Sequence, residues 1–272
     1  MDRKKLLFAG AAGLLTCSVV VCLFQLPMEK IAKASASSPL VVPVQKSVVE
    51  PPALTFPSDL YLESTRLAVK PVLQLPELPN GCEITSLTTV LNYYGFDVDK
   101  EEMAVRYLPY EEFTFDGNIA IAPDPEDAYA GDPFSEHYAF YCFTGPIVDA
   151  ANAYLKTMES DYTAVDATGS SLTDLVNFVQ NGQPVIVWAT IHFAEPEFTE
   201  FWWMTPEGEE IHPYSNLHCL VLTGFDGISA YLCDPLVGRI VVRASVFAQR
   251  YQEMGERAVV LDRAPDNVSD TE

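Results

Sequence analysis

The sequence predicts an α+β fold, in which a helix beginning near Cys82 packs on an antiparallel sheet. Three observations support this fold class. A turn at residues 79–81 runs directly into apolar residues at helical spacing. Short apolar runs downstream are typical of buried strands. Two of these runs flank the Asp226-Gly227 step, a common hairpin signal.

The first predicted helix begins at Cys82 and ends at Gly95. The apolar residues in it recur at near-helical intervals, at Ile84, Leu87, Val90, Leu91 and Tyr94. Asn80, in the preceding turn, is the expected helix cap. A thiol in the first turn of a helix meets unpaired N–H groups and the positive end of the helix dipole, which favour the thiolate. The alternative for Cys82 is a small buried apolar residue.

The predicted hairpin brings a histidine and a carboxylate together. One strand begins at His218 and the other ends at Asp234, and the midpoint between these positions is Asp226. An antiparallel pair folded there places the two side chains opposite each other. A carboxylate beside an imidazole fixes its tautomer and stabilises its protonated form. Taken alone, His218 is a candidate structural residue and Asp234 an ordinary strand end.

The rest of the chain supplies further helices and strands. Residues 147–158 and 171–180 predict two helices, and residues 184–190 and 239–242 predict two strands. An aromatic segment at residues 198–203 has two interpretations, since it suits either a substrate cleft or the core.

Several stretches of the sequence resemble the papain-like cysteine peptidases that are related to the bacteriocin-leader-processing peptidases, in their stand-alone extracellular branch. These stretches are Gln74-Leu75-Pro76-Glu77-Leu78-Pro79-Asn80-Gly81-Cys82-Glu83, Leu91-Asn92-Tyr93-Tyr94-Gly95, Gly131-Asp132-Pro133, residues 184–190, His218-Cys219-Leu220-Val221-Leu222 and Asp234-Pro235-Leu236. They occur in the expected order over roughly residues 68–262.

This resemblance implies a papain-like fold, with the nucleophile on a helix and the other two members on the sheet. It implies Cys82 as nucleophile, His218 as general base and then acid, and Asp234 as the orienting carboxylate. It also implies Gln74 as an oxyanion donor, although this residue lies farther from the cysteine than in papain; the alternative is a polar residue ending an edge strand. The expected activity is hydrolysis of peptide bonds through a thioester acyl-enzyme. Alternatives are an amidase or transpeptidase acting on cell-wall peptides, and a catalytically silent peptide-binding module.

Three regions are expected along the chain. Residues 1–36 form a signal or membrane-anchor segment, in which basic residues precede an apolar run from Leu6 to Leu26. Residues 37–67 form a proline-rich spacer, and residues 68–272 form the peptidase domain. The expected location is the extracellular face of the cell membrane with the N-terminus inside, or the medium if the chain is cleaved near Ala36. Lipidation at Cys17 is a third option.

Charge and ligand spacing limit the partners. The chain carries 38 acidic and 16 basic residues, for a formal net charge of −22, which disfavours binding to nucleic acid. A peptide or protein substrate and, through the N-terminal segment, the membrane are the expected partners. No cofactor is expected, and the scattered histidines show no zinc-ligand spacing. The acidic residues of 116–132 lack the spacing of a calcium loop, which favours a solvated loop.

The cysteines outside the N-terminal segment are Cys82, Cys142, Cys219 and Cys233. An even number suggests disulfides in an extracellular protein, and the predicted hairpin makes a Cys219–Cys233 bridge conceivable. The preferred interpretation is that they are free and buried, since they lie in apolar runs.

Overall fold

A computed structural model describes residues 64–263. The predicted N-terminal segment and most of the predicted spacer lie outside these residues. Within residues 64–263, no helix is long and apolar enough to cross a membrane.

The core of the fold is a seven-stranded antiparallel sheet. Its strands are β1 (Thr65–Arg66), β6 (Tyr162–Asp166), β7 (Val185–Thr190), β10 (Leu217–Phe225), β11 (Ser229–Asp234), β12 (Gly238–Arg243) and β13 (Ala258–Arg263). They run in the order β12-β11-β10-β7-β13-β6, and β1 pairs with β10 off this path. Residues 65–67, the last of the predicted spacer, therefore bond to the sheet.

Helices cover both faces of this sheet. They are α1 (Cys82–Tyr93), α2 (Lys100–Arg106), α3 (Thr144–Thr157), α4 (Leu172–Gln180) and α5 (Ala244–Glu253). The first three pack against one face in a core that includes the side chains of Trp188 and Cys219. The last two pack against the other face in a core that includes Leu220. Because neighbouring strand residues point to opposite faces, β10 is buried on both.

Six shorter strands occur along the chain between α2 and β10. They are β2 (Tyr110–Glu111), β3 (Thr114–Asp116), β4 (Ile119–Ile121), β5 (Tyr129–Ala130), β8 (Trp203–Met204) and β9 (Glu210–Ile211). Four of them form a small sheet in the order β3-β4-β8-β9, and β2 pairs with β5. A short 3₁₀ turn at Ile191–Phe193 follows β7. The aromatic segment at residues 198–203 ends in Trp203, which is fully buried against the rings of Phe113 and Phe140.

The structure confirms the predicted helices and strands, with changes at their ends. The helix predicted at 147–158 begins earlier, at Thr144. The one predicted at 171–180 has Ser171 as its cap, in a capping box with Asp174. Strands β7 and β12 occupy the predicted positions. The sequence analysis did not predict α2, α5, β6, β13 or the small sheet.

Candidate active site

Cys82 is the first residue of α1, as predicted. The predicted cap is wrong, because Gly81 is the N-cap and no side chain bonds to the helix end. A Cβ atom at Gly81 would lie 2.7 Å from Cβ of Leu78, so this tight turn requires glycine. Asn80 instead donates its side-chain N–H to the carbonyl of Ser135 at 2.9 Å. The turn before Cys82 is therefore held by the loop around residues 131–137.

His218 and Asp234 form the predicted pair. His218 Nε2 lies 2.8 Å from Asp234 Oδ1, and both residues are buried. Burial alone would raise the pKa of Asp234, but the hydrogen bond and charge of His218 lower it below its usual value. With Nε2 bonded to the carboxylate, Nδ1 is the imidazole atom left to exchange a proton.

The predicted register of this hairpin is wrong by two residues. The turn is centred on Gly227 and Ile228, and the strands pair Phe225 with Ala230 next to it. Farther on, Leu222 pairs with Leu232. Beyond the pair of Val221 and Cys233, the same register places Asp234 opposite Leu220. Asp234 is therefore diagonal to His218.

A bulge on β10 allows the diagonal contact. The register changes between Leu222 and Gly224, which leaves Thr223 as the extra residue. In the register next to the turn, Asp234 would be opposite Val221, whose side chain is in the α1 core. The extra residue moves Asp234 to the same face as His218. Gly224 was the signal for this bulge in the sequence, since glycine inside a strand often marks one.

The structure does not join Cys82 to this pair. Its thiol donates to Glu83 Oε2 at 3.3 Å, and within residues 64–263 no hydrogen bond connects it to His218. The closest link is through β10, where Ser86 of α1 donates to the carbonyl of Cys219 at 3.2 Å. By strand alternation the side chain of Cys219 faces α1, whereas that of His218 leaves β10 on the other face. Cys82 thus lies beside the residue that follows His218.

The protonation expected for Cys82 is also different. Burial raises the pKa of the thiol well above 9.0, with further increases from the charges of Glu83 and Cys219. A backbone hydrogen bond from Cys219 lowers it, but by less. The position at the start of a helix, which favours thiolate, is therefore outweighed by burial in this arrangement.

Glu83 is a buried carboxyl that the sequence did not single out. It is 1% exposed, and burial raises its pKa from 4.5 to about 7. Its Oε1 has no hydrogen-bond partner within residues 64–263. A glutamate at the second position of a helix is normally exposed to solvent and interacts favourably with the helix dipole, so its burial could not be predicted from the sequence.

Gln74, the predicted oxyanion donor, lies between the two halves of the site. Its backbone N–H donates to the carbonyl of Pro235 at 2.8 Å, next to Asp234. Its side-chain Nε2 donates to the carbonyl of Pro79 at 2.9 Å, in the turn before Cys82. Its Oε1 has no partner within the described residues. The amide is buried and keeps a second N–H for another acceptor.

Lys100 fixes the backbone around Gln74. Its ammonium group donates to the carbonyls of Leu73 and, at 2.9 Å, Gln74, and to the carboxylate of Glu77 at 2.7 Å. These interactions lower the pKa of Glu77. The sequence did not predict this contact, because a lysine at the start of a helix usually points to solvent.

The cysteines are free, as preferred from the sequence. Cys82, Cys142, Cys219 and Cys233 are all buried thiols, and no bridge joins Cys219 to Cys233. Burial raises the pKa of the last three as well. Within residues 64–263, no group of three or more potential ligand side chains lies together to hold a metal ion.

A cavity of about 330 Å³ adjoins the loop that holds Asn80. It is lined by Glu112, Phe113, Phe115, Gly131, Asp132, Ser135, His137 and Tyr138. The aromatic segment at residues 198–203 is not part of this lining. Trp203 of this segment packs edge-on against Phe113, which is one of the lining residues.

Comparison with known proteins gives consistent results. The model of a family described as Peptidase_C39 like matches residues 66–259. YvpB, an uncharacterized protein of Bacillus subtilis (strain 168), is 33% identical over 195 residues, which cover 70% of this chain and 72% of that protein. The crystal structure of a candidate C39-like peptidase from Bacillus anthracis has a TM-score of 0.65 and 33% identity. That alignment covers 74% of this chain and 98% of the other.

The residues matched by the family model include the elements that carry Cys82, Glu83, His218 and Asp234. They confirm the papain-like fold and the family resemblance predicted from the sequence. The chain belongs to the Peptidase_C39-like family.

Proposed function

We propose that the protein is a cysteine peptidase that hydrolyses peptide bonds with Cys82, His218 and Asp234. The observation that carries the proposal is the buried hydrogen bond between His218 on β10 and Asp234 on β11. Helix α1, which begins at Cys82, packs against β10. A buried imidazole–carboxylate pair can serve as the base and orienting group of a thiol hydrolase, and Cys82 at the start of α1 supplies the thiol. The peptidase family of the chain supports the same reaction.

In this mechanism, Nδ1 of His218 takes the thiol proton from Cys82. Asp234 holds Nε2–H and stabilises the imidazolium. The thiolate attacks the peptide carbonyl carbon, and the C–S bond forms as the carbonyl π electrons move to oxygen. The C–N bond then breaks, and the leaving amine takes the proton from His218. Water attacks the thioester with His218 as base, which breaks the C–S bond and restores the thiol.

The oxyanion in this mechanism lies near the start of α1. The backbone N–H of Cys82 is at the helix N-terminus, where amide donors are unpaired. The second N–H of the Gln74 amide is the other proposed donor. A donor of this kind is worth roughly 10²–10³ in kcat. The position of Gln74, bonded to both Pro235 and Pro79, supports this role.

The test is cleavage of a peptide library by the full-length protein, with thiol labelling in parallel. We expect wild type to cleave peptides, and Cys82→Ala and His218→Ala to lose cleavage. Cys142→Ala is the matched control, because it removes another buried thiol that has no role in the mechanism. Cleavage that survives in Cys82→Ala would contradict the proposal.

The same experiment separates the other functions. Release of amides from cell-wall fragments, with no peptide cleaved, would indicate an amidase. Transfer of the acyl group to an added amine would indicate a transpeptidase. A protein that binds peptides but is not labelled by a thiol-directed acylating probe in reducing buffer would be a silent binding module. The hydrogen bond that engages Cys82 with Glu83 is the one observation that favours this last function.

We also propose that the domain acts outside the cell. The basic residues before the apolar run from Leu6 to Leu26 support export with the N-terminus inside, and an uncleaved anchor is favoured. Protease treatment of intact cells is the test. Degradation of the domain with retention in the membrane fraction is expected for an anchored protein. Release into the medium would indicate cleavage near Ala36, and protection from protease would contradict export.

A further inference from the structure

Glu83 is buried beside the nucleophile without a cationic partner. Its Oε2 accepts the thiol hydrogen bond of Cys82 at 3.3 Å, and its Oε1 has no hydrogen-bond partner within residues 64–263. It is 1% exposed, and none of the ion pairs of the described residues includes it. Burying a carboxyl in this way costs free energy, and the Cys82 thiol is the side chain that donates a hydrogen bond to it there.

The contact does not follow from adjacency in the sequence. Consecutive helix residues point about 100° apart and do not face each other. The side chains of Cys82 and Glu83 must therefore turn towards one another to make the hydrogen bond. With the sulfur as donor, this hydrogen bond favours the protonated thiol.

The groups around Glu83 are all acids. They come from four parts of the fold: Cys82 on α1, Tyr129 on β5, Tyr141 and Cys142 before α3, and Cys219 on β10. None of these five groups is a cation. The charge of Glu83 raises the pKa of each of these groups. The ionised carboxyl is favoured by hydrogen bonds from backbone N–H groups, including that of Cys142, and from the Cys82 thiol.

We propose that Glu83 is a positioning residue that holds the Cys82 thiol protonated and bonded away from His218. The thiolate then forms only when the sulfur exchanges this hydrogen bond for one to His218. This inference rests on the proposed function, in which His218 takes the proton. The exchange breaks the S–H···Oε2 hydrogen bond and moves the thiol proton to Nδ1 of His218, and the carboxyl of Glu83 keeps its own protonation. The protein therefore differs from a thiol hydrolase with a preformed thiolate–imidazolium pair.

The test is the rate of alkylation of Cys82 by iodoacetamide as a function of pH. The rate at this residue is followed by mass spectrometry of the full-length protein. In wild type, we expect the rate to rise about tenfold per pH unit through neutrality, because only the thiolate reacts. In Glu83→Gln, the thiol loses its charged neighbour, so at about pH 9, where Glu83 is ionised in wild type, we expect alkylation about tenfold faster than in wild type. Glu207→Gln, an exposed glutamate in a turn, is the matched control and keeps the wild-type profile.

Two results would overturn the inference. One is a wild-type rate that is flat between about pH 5 and 7, since a plateau shows a preformed thiolate. This measurement does not depend on whether the variant folds. The other is a folded Glu83→Gln protein whose profile is unchanged or moves to higher pH, as expected if Glu83 only fills space.

Alkylation reports the thiol alone and requires no peptide cleavage. The expected faster alkylation without cleavage by wild type would contradict the proposed function and leave the control of the thiol by Glu83 intact. Cleavage by wild type, with no faster alkylation in Glu83→Gln, would contradict only the role of Glu83.

Discussion

Replacing Glu83 with glutamine should stabilise the protein relative to wild type, and this gain in unfolding free energy should be larger at alkaline pH than at acidic pH. The pKa of this carboxyl is about 7 in the folded protein, against an ordinary value of 4.5. A carboxyl with a raised folded pKa binds its proton more tightly in the folded state. Its cost to stability is therefore absent below the unfolded pKa, grows as pH rises between the two values, and is complete above about 7.

The magnitude follows from the two pKa values. A pKa difference of about 2.5 corresponds to roughly 3 kcal/mol of unfolding free energy, at about 1.4 kcal/mol for each pKa unit. Between pH 5 and pH 8, integration gives about 2.5 kcal/mol of this total. Glutamine has nearly the same shape and no charge, so Glu83→Gln should avoid this cost.

The assay is urea unfolding of wild type and Glu83→Gln at both pH values, followed by tryptophan fluorescence. We expect the variant to gain about 2.5 kcal/mol over wild type when the pH is raised from 5 to 8. Glu207→Gln controls for the loss of one carboxylate at an exposed site. A difference between Glu83→Gln and wild type that stays constant across this range would refute the assignment of a raised pKa to Glu83.

Three other substitutions have defined outcomes. Asp234→Asn should lower kcat at least tenfold with little change in KM, because an amide can hold His218 in the wrong tautomer; circular dichroism should show an unchanged fold, and an unchanged kcat would contradict the pairing. Gly224→Ala should destabilise the protein by about 1–3 kcal/mol in urea, since a Cβ atom would lie 2.6 Å from the carbonyl oxygen of Thr65. Lys100→Met should cost about 2 kcal/mol in the same assay and lower kcat, because three acceptors in the loop before α1 lose their donor; full activity would show that this loop needs no such support.

The sequence predicted the elements of the site better than their contacts. The spacing of apolar residues was enough to place the helix that begins at Cys82 and the strands that carry His218 and Asp234. The histidine–carboxylate contact was also predicted, although from a register that is wrong. The symmetric hairpin assumed from the sequence has no extra residue such as Thr223, which the structure places before Gly224, where β1 passes close to the backbone of β10.

The protonation of the thiol could not be predicted from position alone. A helix start favours thiolate, but the burial of Cys82 and Glu83 depends on elements far away in the sequence. The same is true of Lys100, whose acceptors lie in a loop more than 20 residues earlier. Such contacts between distant segments are tertiary effects that override local patterns.

The position of β13 has a consequence for the synthesis of the protein. This strand lies between β6 and β7 in the sheet, although its residues follow both along the chain. A nascent chain that ends before residue 258 already contains Cys82, His218 and Asp234, but it lacks the strand that connects β6 to β7. We therefore expect the ribosome to have read nearly the whole coding sequence of the domain before the sheet can close. Prematurely terminated chains would then lack the closed sheet and be open to degradation.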